Sequence, residues 1–141
     1  MRLWHYKMIP YLPRQQLLGQ HRECCALRGN SWGIRHSVVN YVFRYSFSKL
    51  VTYHYLIIEE MRNRGYHPNQ LWSDPVYRGR NHDKETNGWD VDFDHLPYPE
   101  HSTEYLKSCL ENLKTKIEKI PARYKDQEVE KFMRFYKKAL F

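Results

Sequence analysis

Apolar residues recur at helical spacing in four stretches of the chain. In the plainest, Phe47, Leu50, Val51, His54, Ile57, Ile58 and Met61 fall on one face at about 100° per residue. This spacing predicts a helix capped by Ser46 and closed by Arg62, Arg64 and Gly65. Leu106, Cys109, Leu110, Leu113 and Ile117 predict a helix from about Ser102 to Lys119, stopped by Pro121. Val129, Phe132, Met133, Tyr136 and Leu140 predict a last one from about Lys125 to Leu140.

The first helical stretch, Gln15 to Arg28, follows Pro13 and fades at Gly29-Asn30. Leu17, Leu18, His21, Cys24 and Cys25 form its apolar stripe. Gln15, Gln16, Gly19, Arg22, Glu23 and Ala26 share the opposite side. Gly19 and Ala26 carry almost no side chain, which leaves a shallow trough flanked by Arg22 and Glu23. Such a Gly either packs against a neighbour inside the fold or leaves room for a bulky partner.

The remaining segments lack this periodicity. Residues 1–11 read as an extended arm and 31–45 as irregular, despite the apolar run Val38 to Phe43. Between Pro68 and Glu100 the chain is broken by Pro68, Pro75, Pro97, Pro99, Gly79 and Gly88. The whole pattern predicts a mainly α fold. One compact domain, residues 1–141, holds three to four helices with long irregular connections and a loop-rich acidic insert over about 68–100.

Charge sharpens this picture. The net charge is +7 and the isoelectric point about 9.3, a balance suited to a polyanionic partner. It is unevenly placed, since residues 1–65 carry +7, 66–101 carry −4 and 102–141 carry +4. Tyr and bases are interleaved, as in Arg44-Tyr45 and Arg134-Phe135-Tyr136-Lys137, a combination that can stack on bases and hold phosphates.

Three cysteines, Cys24, Cys25 and Cys109, make neither a disulfide framework nor a C-x-x-C pair, so free thiols in a reducing cytoplasm are expected. No apolar run is long enough for a membrane span. Asp90, Asp92 and Asp94 alternate like calcium ligands. His95 stands where the turn of an EF-hand needs glycine, and His101 where its closing glutamate belongs, so no metal site is expected. His54, on an apolar face, reads as a core histidine.

The candidate for chemistry is Glu23. It is the only acid among the first 58 residues, within a field of bases that includes Arg2, Arg14, Arg22 and Arg28. A lone carboxylate among bases can stabilise a developing cation or take up a proton.

These residues carry a resemblance. Gln15, Leu17, Arg22 and Glu23, counted without gaps from Met1, resemble the first helix of the pyrimidine dimer DNA glycosylases of the phage T4 endonuclease V type. Tyr45, Ser48-Lys49-Leu50, Glu60 and Arg64-Gly65 resemble that family's loop and second helix, and Tyr136, Lys138 and Ala139 its aromatic and basic tail. The resemblance covers about half the chain and leaves Trp72 to Glu100 without a counterpart.

It implies a cofactor-free and metal-free glycosylase with AP lyase activity on ultraviolet-damaged double-stranded DNA, acting as a monomer. An N-terminal α-amine would attack C1′ of the damaged nucleotide and form an imine, with Glu23 supporting the cationic sugar and the elimination. The family's usual terminal threonine is replaced, because Arg2 is too large for ordinary methionine removal, and the amine falls to Met1. Substrate contacts are expected from Arg2, Gln15, Gln16, Arg22, Arg28, Tyr136 and Lys138. Gln16 stands where the family has histidine and Ala26 where it has arginine. Two other readings fit the same residues: a non-catalytic nucleic-acid-binding module, and an enzyme for a different damaged base or for RNA.

Overall fold

The computed structural model describes residues 3–29, 40–80, 82–84 and 98–140. Among the described residues four α-helices carry the fold: α1 (Arg14–Arg28), α2 (Phe47–Asn63), α3 (Thr103–Lys119) and α4 (Asp126–Leu140). Short 3-10 turns at Tyr6–Tyr11, Asn40–Arg44, Gln70–Ser73 and Pro121–Arg123 join them, and no strand occurs among the described residues. The mainly α expectation holds. The expected aspartate run, Asp90 to Asp94, and Val38 and Val39 lie outside the described residues.

Helix α2 is the central element and packs most extensively on α1. All seven residues expected on its core face are buried, and Thr52 and Tyr53 join them. Its end is closed by backbone geometry. Gly65 adopts φ +88°, and the Gly65 and Tyr66 N–H groups donate to the Arg62 and Met61 carbonyls at 2.9 Å each. This paired arrangement needs a left-handed residue, which glycine supplies without steric cost. Arg64 then staples the turn to the start of the chain, donating to Glu60 at 2.8 Å and to the Leu12 carbonyl at 2.7 Å.

Helix α3 starts one residue after Ser102, whose hydroxyl accepts the Tyr105 N–H at 3.1 Å. It buries Cys109, Leu110, Leu113 and Ile117. Helix α4 buries Phe132 and Tyr136 from its expected face, with Val129, Met133 and Leu140 partly covered.

The N-terminal residues depart from the expected extended arm. Tyr6–Tyr11 forms a 3-10 turn with Pro10 inside it, and Leu3, Trp4, His5, Met8 and Ile9 are buried. The polar atoms that interrupt this segment are satisfied internally. His5 accepts the Lys7 N–H on Nδ1 and donates from Nε2 to the His101 carbonyl at 2.9 Å. Burial without an anion pushes the pKa of His5 down to about 4, and that of its neighbour His101 to about 3.

Candidate DNA-lesion site on the first helix

Helix α1 begins after Pro13, which carries no capping side chain. Its positive end is closed from across the fold, because the Arg14 N–H donates to the Glu128 carboxylate of α4. Next to it Gln15 donates to the Arg123 carbonyl, and Gln16 donates to the Tyr124 hydroxyl at 2.9 Å. Three side-chain contacts thus join the starts of α1 and α4. Gln15 stays exposed and Gln16 is half-buried.

The core face of α1 is rotated from the expected stripe. Leu17, Gln20, Cys24, Leu27 and Arg28 are buried, while Leu18, His21 and Cys25 are only partly covered. Gln20 goes inward because its Oε1 accepts the Trp4 N–H at 2.7 Å, and the Tyr53 hydroxyl, 3.1 Å from that oxygen, donates to the Trp4 carbonyl at 2.6 Å. Tyr105 holds the Leu3 carbonyl at 2.5 Å. The start of the chain is therefore pinned against α1 at Gln20, one turn before Glu23. Met1 and Arg2 lie outside the described residues.

Arg22 is exposed and Glu23 partly so, and no described residue engages the Glu23 carboxylate in a hydrogen bond or ion pair. The trough beside them is open. A Cβ built at Gly19 would meet only the Arg22 guanidinium, at 3.8 Å, so no other element among the described residues approaches there. Packing among the described residues does not account for this glycine, which leaves space beside Arg22.

Arg28 requires correction. Its side chain is fully buried and its guanidinium faces inward, donating to the carbonyls of Trp72, Asp74 and Tyr77 at 3.0, 2.7 and 2.8 Å. It also lies over the Trp72 ring, 5.1 Å from its centre. A phosphate cannot reach it, and its role is to tie the 72–77 loop to the end of α1. Arg78 completes the tie by donating to the Arg28 carbonyl at 2.8 Å. The backbones come so close that a Cβ at Gly29 would lie 2.9 Å from the Arg78 carbonyl oxygen.

Tyr136 requires correction for a similar reason. It is buried against Phe132, its hydroxyl donates to Glu111, and Lys114 sits 5.3 Å from its ring centre. Lys138, by contrast, is exposed.

A cluster that sequence spacing does not reveal lies beside the site. His21, Cys25 and His54 bring ligand-type atoms within 4.8 Å of one another. Arg28 can only donate, so its contact with His54 Nδ1 at 3.0 Å makes that nitrogen the acceptor. His54 Nε2 then carries the proton and donates to His21 Nδ1 at 2.8 Å. A cation at Nε2 would have to displace this proton while facing the Arg28 charge across the ring. The arrangement therefore works as a hydrogen-bonded chain between α1 and α2, and burial with nearby Arg28 holds the His54 pKa well below the ordinary range. The expectation of a core histidine at 54 understated it, since both nitrogens are engaged.

These features define an α-helical protein whose first helix presents a small-residue face with an arginine and a carboxylate that is unpaired among the described residues, next to the pinned segment Leu3–Trp4. A family model described as pyrimidine dimer DNA glycosylase matches residues 1–74, just over half of the chain, and the chain belongs to that family. No curated protein and no solved structure matches it. The match takes in α1, α2 and the first part of the loop anchored by Arg28, and stops before α3 and α4. No described helix is long and apolar enough to cross a membrane.

Proposed function

We propose that the chain excises ultraviolet-damaged pyrimidines from double-stranded DNA and then cleaves the strand through an imine formed by the α-amine of Met1. The observation that supports this reading is the pinning of Trp4 at Gln20 and of the Leu3 carbonyl by Tyr105. Two residues span at most about 7 Å, and Glu23 lies only about 4.5 Å further along the helix. The amine is thereby within reach of the trough.

The chemistry follows from the groups available. An α-amine has a reference pKa of about 7.7–8.0, so a useful fraction is neutral and nucleophilic near pH 7. Its lone pair displaces the base from C1′, and loss of a proton from C2′ then expels the 3′ phosphate. Glu23, which has no partner among the described residues, stabilises the cationic sugar and accepts that proton. Arg22, Gln15, Arg2 and Lys138 are assigned to the DNA backbone.

Borohydride trapping tests this directly. Protein with a native terminus should cross-link to abasic or dimer-containing duplex, with the link mapping to Met1, and an uncleaved N-terminal extension should abolish it. A link at Lys7 or Lys49 would retain the lyase and move the nucleophile. Absence of any adduct, with DNA still bound, would replace this mechanism with the non-catalytic reading.

A further inference from the structure

The family match ends at residue 74, yet the start of the chain is also held by the segment that opens α3. Tyr105 lies on that helix beside its core stripe. Its N–H is fixed by the Ser102 hydroxyl, and its own hydroxyl donates to the Leu3 carbonyl at 2.5 Å. Its ring stacks on His101, with centres 5.0 Å apart and planes 19° apart. His101 in turn stacks on His5 at 5.4 Å, and its main-chain carbonyl accepts the His5 Nε2–H at 2.9 Å. Leu3 and His5 are thus gripped by residues 102 and 96 positions further along the chain.

The direction of the hydrogen bonds follows from the groups involved. A carbonyl only accepts, so Tyr105 gives its proton to Leu3, and its oxygen accepts from the Tyr41 hydroxyl to which it is hydrogen-bonded. Tyr41 then offers only its oxygen to His101, 2.8 Å away, and His101 must carry its proton on Nε2. Nδ1 of His101 is buried and has no partner among the described residues, and in this tautomer it is a bare acceptor, not a stranded donor. The chain from His101 through Tyr41 and Tyr105 runs one way, and it ends on the first described carbonyl of the protein.

We propose that Tyr105 is a positioning residue for the α-amine, fixing the root from which Met1 and Arg2 extend and so the place of the nucleophile beside Glu23. This rests on the function proposed above. The Leu3 carbonyl and the Trp4 N–H belong to one planar peptide unit and point to opposite sides of it. Gln20 holds the N–H, about which the plane could still pivot, and Tyr105 holds the far end and removes the pivot. Two residues reach at most about 7 Å, so a swing of about 10° at this root moves the amine by about 1 Å. A misplacement of that size can cost on the order of 100-fold in rate.

Tyr105→Phe keeps the ring and its stack and removes only the hydroxyl. The test compares it with the native chain and with Leu113→Ala, which loosens the buried face of the same helix roughly two turns further on. Single-turnover borohydride trapping on saturating abasic duplex should slow by at least ~10-fold in Tyr105→Phe. Duplex affinity should be unchanged, and the Trp4 N–H should stay protected in hydrogen exchange. Leu113→Ala should lower the thermal midpoint further and still trap at the native rate while folded. Trapping at the native rate by Tyr105→Phe overturns the proposal. So does a slowing that comes with lost Trp4 protection, or one that Leu113→Ala shares, because either assigns the hydroxyl to stability alone. If the native chain binds the duplex and forms no adduct, the imine mechanism fails and the positioning role falls with it, whereas equal trapping by native chain and variant removes the positioning role alone.

Discussion

Tyr53, in the middle of α2, donates its hydroxyl to the main-chain carbonyl of Trp4 at 2.6 Å, while Gln20 of α1 accepts the Trp4 N–H at 2.7 Å. Both polar groups of one N-terminal residue are thus fixed by the two helices that form the centre of the fold. An α-amine nucleophile near the chain start needs such an anchor, because a freely moving terminus would lose the effective concentration that makes amine attack fast.

Gln20→Leu should therefore weaken catalysis without touching DNA. The substitution leaves the buried Trp4 N–H unpaired, at a cost of about 1–3 kcal/mol in stability. Single-turnover trapping should slow by at least ~10-fold while duplex affinity stays unchanged, and Tyr53→Phe should act in the same direction. Unaltered trapping in a destabilised Gln20→Leu protein would show that the anchor serves stability alone.

Arg28→Met separates a structural arginine from a DNA contact. Three partly buried carbonyls, of Trp72, Asp74 and Tyr77, lose their donor. Each unsatisfied group costs about 1–3 kcal/mol, less than additively, so a loss of at least ~3 kcal/mol is expected from denaturant unfolding. The salt slope of DNA binding should not change. A slope lower by about one unit would place Arg28 on a phosphate instead.

These two residues also show what the sequence could reveal. Apolar periodicity finds α2 to within a residue, along with its seven core positions, because Ile, Leu, Val and Met go inward whatever their partners. Gln20 and Arg28 go inward only because main-chain groups of Trp4 and of residues 72–77 meet them there. Those partners are 16 and 44 to 49 positions away in sequence. Tyr136 reads as a DNA contact for the same reason, its partner Glu111 lying on another helix. The 3-10 turn at Tyr6–Tyr11 is hidden because its polar residues and Pro10 read as breaks, although a single such turn tolerates both. Glu23 and Arg22 stand out in the sequence because charge isolation along the chain needs no tertiary information, and the structure adds their exposure.

Acid should unfold the protein earlier than its carboxylates alone would require. His5, His54 and His101 are buried, and their folded pKa values lie below the ordinary 6.5, at about 4 for His5 and about 3 for His101. Below pH 6.5 the unfolded chain takes up protons that the folded chain refuses, so stability is full above that pH and falls as the pH drops toward 4. Each refused proton contributes about 1.4 kcal/mol per pH unit. Denaturant titrations at pH 7 and pH 5 should differ by several kcal/mol, and His5→Asn should flatten the difference. A pH-independent midpoint over this range would show that these rings titrate normally.

Glu23→Gln addresses the chemistry itself. The amide keeps the size of the side chain and its hydrogen-bonding capacity, and no described residue depends on the carboxylate, so the fold should be unaffected. What disappears is the negative charge proposed to steady the cationic sugar and the base proposed to take the C2′ proton. General-base removal typically costs 10²–10⁴-fold, and strand cleavage should fall by at least ~100-fold. Duplex affinity should hold or rise, because a charge facing phosphates has been removed. The two roles separate by substrate: on a preformed abasic site only elimination is needed, so a loss confined to dimer-containing DNA would assign Glu23 to glycosidic cleavage. A loss on both assigns it to both steps, and unchanged turnover on both would leave Glu23 as a surface carboxylate.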